Sequence, residues 1–111
     1  MAVKRPGISN LSREAKRIFK AITSEFAGID DDPAAVLILK TSLEAFDRMR
    51  QAQQAIADHG VVFLDRYGQP RSNPAVAAER DSRAAMLAAL RQLNLDLTVI
   101  QNPGPGRPPG R

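Results

Sequence analysis

The sequence predicts a mainly α-helical protein: a short N-terminal helix, then a long helical hairpin whose arms are interrupted by a short extended or β-hairpin segment. Three observations predict this. Apolar residues recur at helical spacing through residues 11–26 and again through 35–56. Residues 61–72 break that pattern with Val61-Val62-Phe63-Leu64, Tyr67-Gly68 and Pro70. Asn73-Pro74 then opens another helical run.

Residues 1–9 carry Lys4, Arg5 and Pro6-Gly7 without periodicity, and read as a flexible basic arm. Residues 10–29 hold a basic amphipathic helix from about Ser12 to Ala27. Ser12 suits the N-cap, Leu11 a staple against the stem of Lys16, and Glu14 the first turn. Leu11, Ala15, Ile18, Phe19, Ile22 and Phe26 fall on one face of a 3.6-residue period, and Gly28 is expected to stop the helix. Arg13, Lys16, Arg17 and Lys20 form a cationic stripe on the opposite face.

Residues 30–97 read as a helical oligomerisation core. Asp30, Asp31 and Asp32 offer caps, Pro33 suits the first helical position, and no breaker follows before Gly60, so this helix reaches His59. Ala34 to Leu39 is apolar all round, and a helix apolar on every side must be buried on every side. Beyond it, Ala35, Ile38, Ser42, Ala45, Met49, Ala52 and Ile56 make a heptad-like seam, while Val36, Leu39, Leu43 and Phe46 make a second apolar face. Two such faces fit one partner inside the subunit and one outside it. Val36, Leu39, Leu43, Phe46 and Met49 are accordingly expected at contacts between subunits.

The 61–72 segment reads as a short hairpin or extended loop. A two-stranded ribbon is marginal alone, so it is expected against a helix or a neighbouring subunit. The third helix runs from the Asn73 cap to about Leu93. Val76, Leu87, Leu90 and Leu93 supply much of its apolar face with Met86 beside them, Arg80, Arg83 and Arg91 lie among exposed positions, and Asn94 suits a left-handed cap. Residues 98–111, rich in Pro and Gly, are expected to be a disordered tail.

A chain of 111 residues allows one small domain. It is 43% hydrophobic but only 5% aromatic, so its helix–helix contacts are thin and oligomerisation is the usual remedy at this size. With no Cys there are no disulfides and no thiolate metal sites. No stretch resembles a signal peptide or approaches a membrane span. Net charge is uneven: +5 over residues 1–20, −3 over 21–101 and +2 over 102–111. A basic N-terminal segment on a slightly acidic body fits a polyanion at that end, or a solubilising surface.

Catalytic chemistry finds little support. His59 is the only histidine, sits at a helix C-terminus where the dipole favours a cation, and has no nucleophile nearby. Asp30-Asp31-Asp32 lacks the further spaced carboxylates of a cation loop and reads as a capping cluster. There is no phosphate-cradling loop, zinc pattern or triad. The chain is expected to be non-enzymatic and to need no cofactor.

The order of three segments then carries a family resemblance. A long helix ends in Ala55-Ile56-Ala57-Asp58-His59-Gly60, an extended segment follows with Asp65-Arg66-Tyr67-Gly68-Gln69, and a helix opens at Ser72-Asn73-Pro74-Ala75. With Leu93-Asn94-Leu95 and the Leu11-Ser12-Arg13-Glu14-Ala15 opening, the chain over about residues 10–95 resembles the small subunit of the phage terminase, the DNA-packaging motor of tailed bacteriophages. Asn94 stands where relatives usually have Gly, and the Pro-x-x-Arg segment that often follows is replaced by Asp96-Leu97-Thr98-Val99-Ile100.

The resemblance implies a non-enzymatic factor of the host bacterial cytoplasm. It would form a ring, bind viral double-stranded DNA and deliver it to the large terminase subunit, which holds the ATPase and nuclease. The second and third helices would build the ring. Lys4, Arg5, Arg13, Lys16, Arg17 and Lys20 would face DNA. Two other classes stay open on the residues alone. One is a small helical DNA-binding regulator, disfavoured because the second helix is too long and apolar to be a recognition helix. The other is a protein–protein adaptor whose basic stripe is only a solvated face.

Overall fold

In the computed structural model, which describes residues 7–95, three helices and a small antiparallel hairpin follow one another in the order the sequence predicts. Helix α1 spans Arg13–Glu25, α2 Pro33–His59 and α3 Pro74–Leu93, and the strands are β1 (Val62–Leu64) and β2 (Pro70–Ser72).

Helix α1 starts where its cap dictates. The Ser12 hydroxyl accepts from the Ala15 amide at 3.0 Å. Leu11 does not staple at the surface; it is buried in the core, and Ile8 packs against that core although it belongs to the expected arm. The helix ends at Phe26, two residues before Gly28, and Ala27–Ile29 form a single 3-10 turn. Gly28 is not in the left-handed conformation that would make it the stop. What turns the chain is Ile29, which is buried and draws the segment down onto α2.

Helix α2 has strong punctuation at both ends. One Asp32 oxygen accepts from the Ala34 and Ala35 amides at 3.0 and 3.3 Å, and Pro33 occupies the first helical position. Gly60 closes the helix at φ +82°, where a side chain would be strained. Twenty-seven residues make a rod about 40 Å long. It is the spine of the subunit, with α1 docked on one side and α3 packed antiparallel along another.

Both apolar faces of α2 are used inside the protomer. Leu11, Ala15, Phe19 and Ile29 meet Val36, Leu39, Leu43, Phe46 and Met49 in one buried cluster, and Met86, Leu90, Leu93 and Leu95 pack against it. The five residues expected between subunits are therefore core residues of a single copy, with Val36 and Leu39 fully enclosed. The physical reason is α1, whose apolar stripe covers the face that periodicity alone left without an occupant. Ser42, Ala45 and Ala52 of the seam are buried too; such small side chains let helix axes approach closely. Nor is Ala34 to Leu39 enclosed on every side, since Leu37 is 52% exposed.

The hairpin pairs Val62 with Ser72, Phe63 with Arg71 and Leu64 with Pro70. Its turn is organised by Asp65, whose carboxylate accepts from the Tyr67 and Gln69 amides at 2.8 and 3.0 Å and from Arg71 Nε at 2.9 Å. Gly68 takes the φ +76° this turn requires. The amide of Gln69, then Arg71, then the amide of Tyr67 hold the Asp65 carboxyl below its ordinary value. All six strand residues are exposed.

Asn73 joins hairpin and helices. Its Oδ1 accepts from the Ala75 amide at 2.9 Å, capping α3, and its Nδ2 donates to the Gly60 carbonyl at 2.8 Å and, more weakly, to the Ala55 carbonyl at 3.4 Å. Its own amide donates to the Val61 carbonyl at 2.8 Å. Helix α3 then runs to Asn94, whose φ of 52° and ψ of 49° are the left-handed cap the sequence predicts. Val76 and Leu87, expected on the buried face, are instead exposed, and α3 has no fully buried residue.

Candidate nucleic-acid interface

The cationic stripe depends on how α1 is held. Its buried side contributes Ala15 and Phe19, at 0% and 2% exposure, which fixes the rotation of the helix about its axis. Ion pairs and hydrogen bonds from α2 then fix its first turn. The Ser12 amide and hydroxyl donate to the two oxygens of Asp47 at 2.8 and 2.6 Å, and Asn10 Nδ2 donates to Glu44 at 2.9 Å. Arg50 pairs with Glu14 at 3.1 Å while lying over the Phe46 ring at 5.0 Å. Residues 44, 47 and 50 recur every three positions on one side of α2, so they meet successive residues of the incoming chain.

With α1 so placed, Arg13, Arg17 and Lys20 are exposed and Lys16 is half-buried. Helical spacing puts all four within about 100° of arc, opposite Ala15 and Phe19, over about 10 Å of axis. None of the four forms an ion pair with a described residue. The contrast with other cations is informative. Arg50 pairs with Glu14, Arg71 with Asp65, Arg80 with Asp81 and Arg83 with Glu79. Arg48, Arg66 and Arg91 also lack an ion pair with a described residue, but they stand apart from one another on α2, the hairpin and α3. The stripe is thus a surface of uncompensated positive charge, while two of the three α3 arginines are neutralised locally. Lys4 and Arg5, assigned to the same surface by the sequence, lie outside the described residues.

The links that orient α1 join residues 34 to 36 positions apart, and no local pattern flags them. They continue into α3: Arg50 donates to Gln53 at 2.8 Å, Gln53 donates to Glu79 at 3.2 Å, and Glu79 pairs with Arg83. This polar ladder crosses all three helices.

Other candidate groups play structural parts. Asp32 caps α2, and among the described residues no three of His, Cys, Asp and Glu are grouped to hold a metal. His59 ends α2 and lines, with Phe63, Leu64, Asn73 and Pro74, an open depression of about 440 Å³ beneath the hairpin. No described helix is long and apolar enough to cross a membrane.

Comparison with known proteins gives one finding. A family model described as phage terminase, small subunit, matches residues 15–101, from α1 through the hairpin to beyond α3. No curated protein and no solved structure matches the chain significantly.

Proposed function

The chain belongs to the phage terminase small-subunit family, and on that premise we propose that it is a non-catalytic genome-packaging factor. It assembles into a closed homo-oligomer, binds viral double-stranded DNA through α1 and the basic arm, and presents that DNA to the large terminase subunit in the infected bacterial cytoplasm.

The observation that carries this reading is the α1 stripe: Arg13, Lys16, Arg17 and Lys20 on one face, without carboxylate partners among the described residues, on a helix whose opposite face is anchored in the core. Four cations from one copy neutralise only a few phosphates and bind weakly, with little base information. Copies arranged in a closed assembly present the stripe repeatedly, so the second and later contacts form at high effective concentration. Binding is then avid, steeply salt-dependent and only modestly sequence-selective. Assembly is supported by what one copy leaves uncovered: Val61, Val62, Leu64 and Tyr67, neighbours on the one hairpin, are 56–74% exposed. Apolar side chains exposed side by side, unlike ones scattered singly, mark contact sites in soluble proteins.

Native mass spectrometry of the full chain, with duplex-DNA binding followed by fluorescence anisotropy at low and high salt, tests the reading. A multi-subunit particle that binds duplex at low salt and releases it at high salt is expected. A monomer at micromolar concentration, or no duplex binding at low salt, contradicts it.

A further inference from the structure

We propose that the β-hairpin of one copy seats in the groove between α2 and α3 of the next, a head-to-tail contact between different surfaces. This rests on the oligomeric reading above and says which surfaces meet.

The hairpin is an apolar projection without a cover. Val61, Val62, Leu64 and Tyr67 are 56–74% exposed, and Phe63 is 37% exposed. A two-stranded ribbon of three-residue strands is marginal unless something packs on it. Here it is braced by the hydrogen bonds of the Asp65 turn and by Asn73, which ties its base to the end of α2 and the start of α3. A rigid apolar projection loses little entropy on docking.

The receiving surface lies at the other end of the molecule. Leu37, Ile38 and Thr41 of α2 and Ala85, Ala88 and Ala89 of α3 line an open, largely apolar groove of about 470 Å³. The α3 wall is made of these three alanines and Gln92; the alanines leave room for larger side chains, and Leu37 stands half-exposed at the groove's edge.

The hairpin cannot fill the groove of its own subunit. From Leu37 to Gly60 the chain is one continuous helix, which separates the two by about 35 Å. Only another copy can bring them together. The charges agree with that pairing: Arg66 is exposed at the hairpin tip, over the Tyr67 ring at 5.3 Å, and the exposed Asp31 lies six residues before Leu37, at the same end of α2 as the groove. Because donor and acceptor surfaces differ, each copy offers one of each. Contacts of this kind repeat, and they close into a ring when the rotation between copies allows.

The test places a benzophenone photoprobe at Leu64 in the full-length chain and maps adducts by peptide mass spectrometry. The exposure of Leu64 lets the fold tolerate the change. Adducts between copies at residues 37–41 or 85–92 are expected. Adducts joining hairpin to hairpin overturn the proposal, as does an absence of inter-copy adducts in a particle whose native mass contains several subunits. A monomeric native mass would instead remove the oligomeric reading itself. As a second measurement, Ala88→Arg should raise the concentration needed for assembly at least tenfold at unchanged helix content. Gln51→Arg, on the flank where α1 docks, should not. Assembly of Ala88→Arg as tight as the parent also overturns the proposal.

Discussion

Asn73 is the joint between α2, the hairpin and α3, and replacing it with alanine removes two different kinds of interaction. The first is the α3 cap, the 2.9 Å bond to the Ala75 amide, worth about 1 kcal/mol. The second is the 2.8 Å bond to the Gly60 carbonyl, which loses its side-chain donor in a partly buried setting, at a cost of about 1 kcal/mol. The 3.4 Å bond to Ala55 is too long to add much. The sum is about 2 kcal/mol, which for a domain of this size lowers Tm by about 8–16 °C. Asn73→Ser keeps an acceptor for the cap but cannot reach both carbonyls, so it should lose about half as much. The assay is thermal unfolding by circular dichroism at 222 nm, at one fixed protomer concentration because assembly makes Tm concentration-dependent. If Asn73→Ala melts within about 2 °C of the parent, the joint does not carry this energy and the reasoning fails.

Three further outcomes are expected. Leu39→Ala should cost about 2–5 kcal/mol in urea unfolding, because Leu39 is fully enclosed within one protomer; a loss under 1 kcal/mol would return it to the surface. The Asp65 carboxyl titrates below its ordinary value of 3.8, so its contribution to the hairpin is complete above that pH and is lost as pH falls through the lower, folded value. Protection of the Tyr67 and Gln69 amides, taken relative to their intrinsic exchange rate at each pH, should therefore fall below about pH 3.8, and Asp65→Ala, which removes the acceptor, should show the lower protection already at neutral pH; equal protection in that variant at pH 7 would contradict this. Deleting residues 102–111, which lie outside the described residues and beyond the family match, should leave the number of subunits per particle unchanged by native mass spectrometry.

The parts of the fold that are legible in the sequence are those set by local chemistry. Ser12, Asp32-Pro33, Gly60, Asn73-Pro74 and Asn94 mark helix ends through bonds made within a few residues, and each acts as its residue type predicts. The cationic stripe is legible for the same reason, since 3.6-residue periodicity fixes which side chains share a face. What periodicity does not contain is the identity of the element that covers a face. It marks Val36, Leu39, Leu43 and Phe46 as buried but cannot assign them to α1 of the same copy rather than to a neighbour. The Ser12–Asp47 and Glu14–Arg50 links that aim the stripe escape local reading too, because their partners are 35 and 36 residues apart. The same holds for the turn at Ile29, where burial against α2 decides the path and Gly28 does not.

The α1 stripe as the DNA surface is the central claim, and the dependence of duplex affinity on salt tests it most directly. Each phosphate that the protein no longer neutralises flattens the slope of log affinity against log salt by about 0.9. Arg17→Ala with Lys20→Ala takes up to two such charges from every engaged subunit, so the slope should flatten by up to about 1.8 per engaged copy, with affinity reduced and native mass unchanged. Removing Arg80, Arg83 and Arg91 from α3 should leave the slope close to that of the parent. If the α3 variant loses DNA binding while the α1 double variant retains the parental slope, DNA is held by α3 and not by α1.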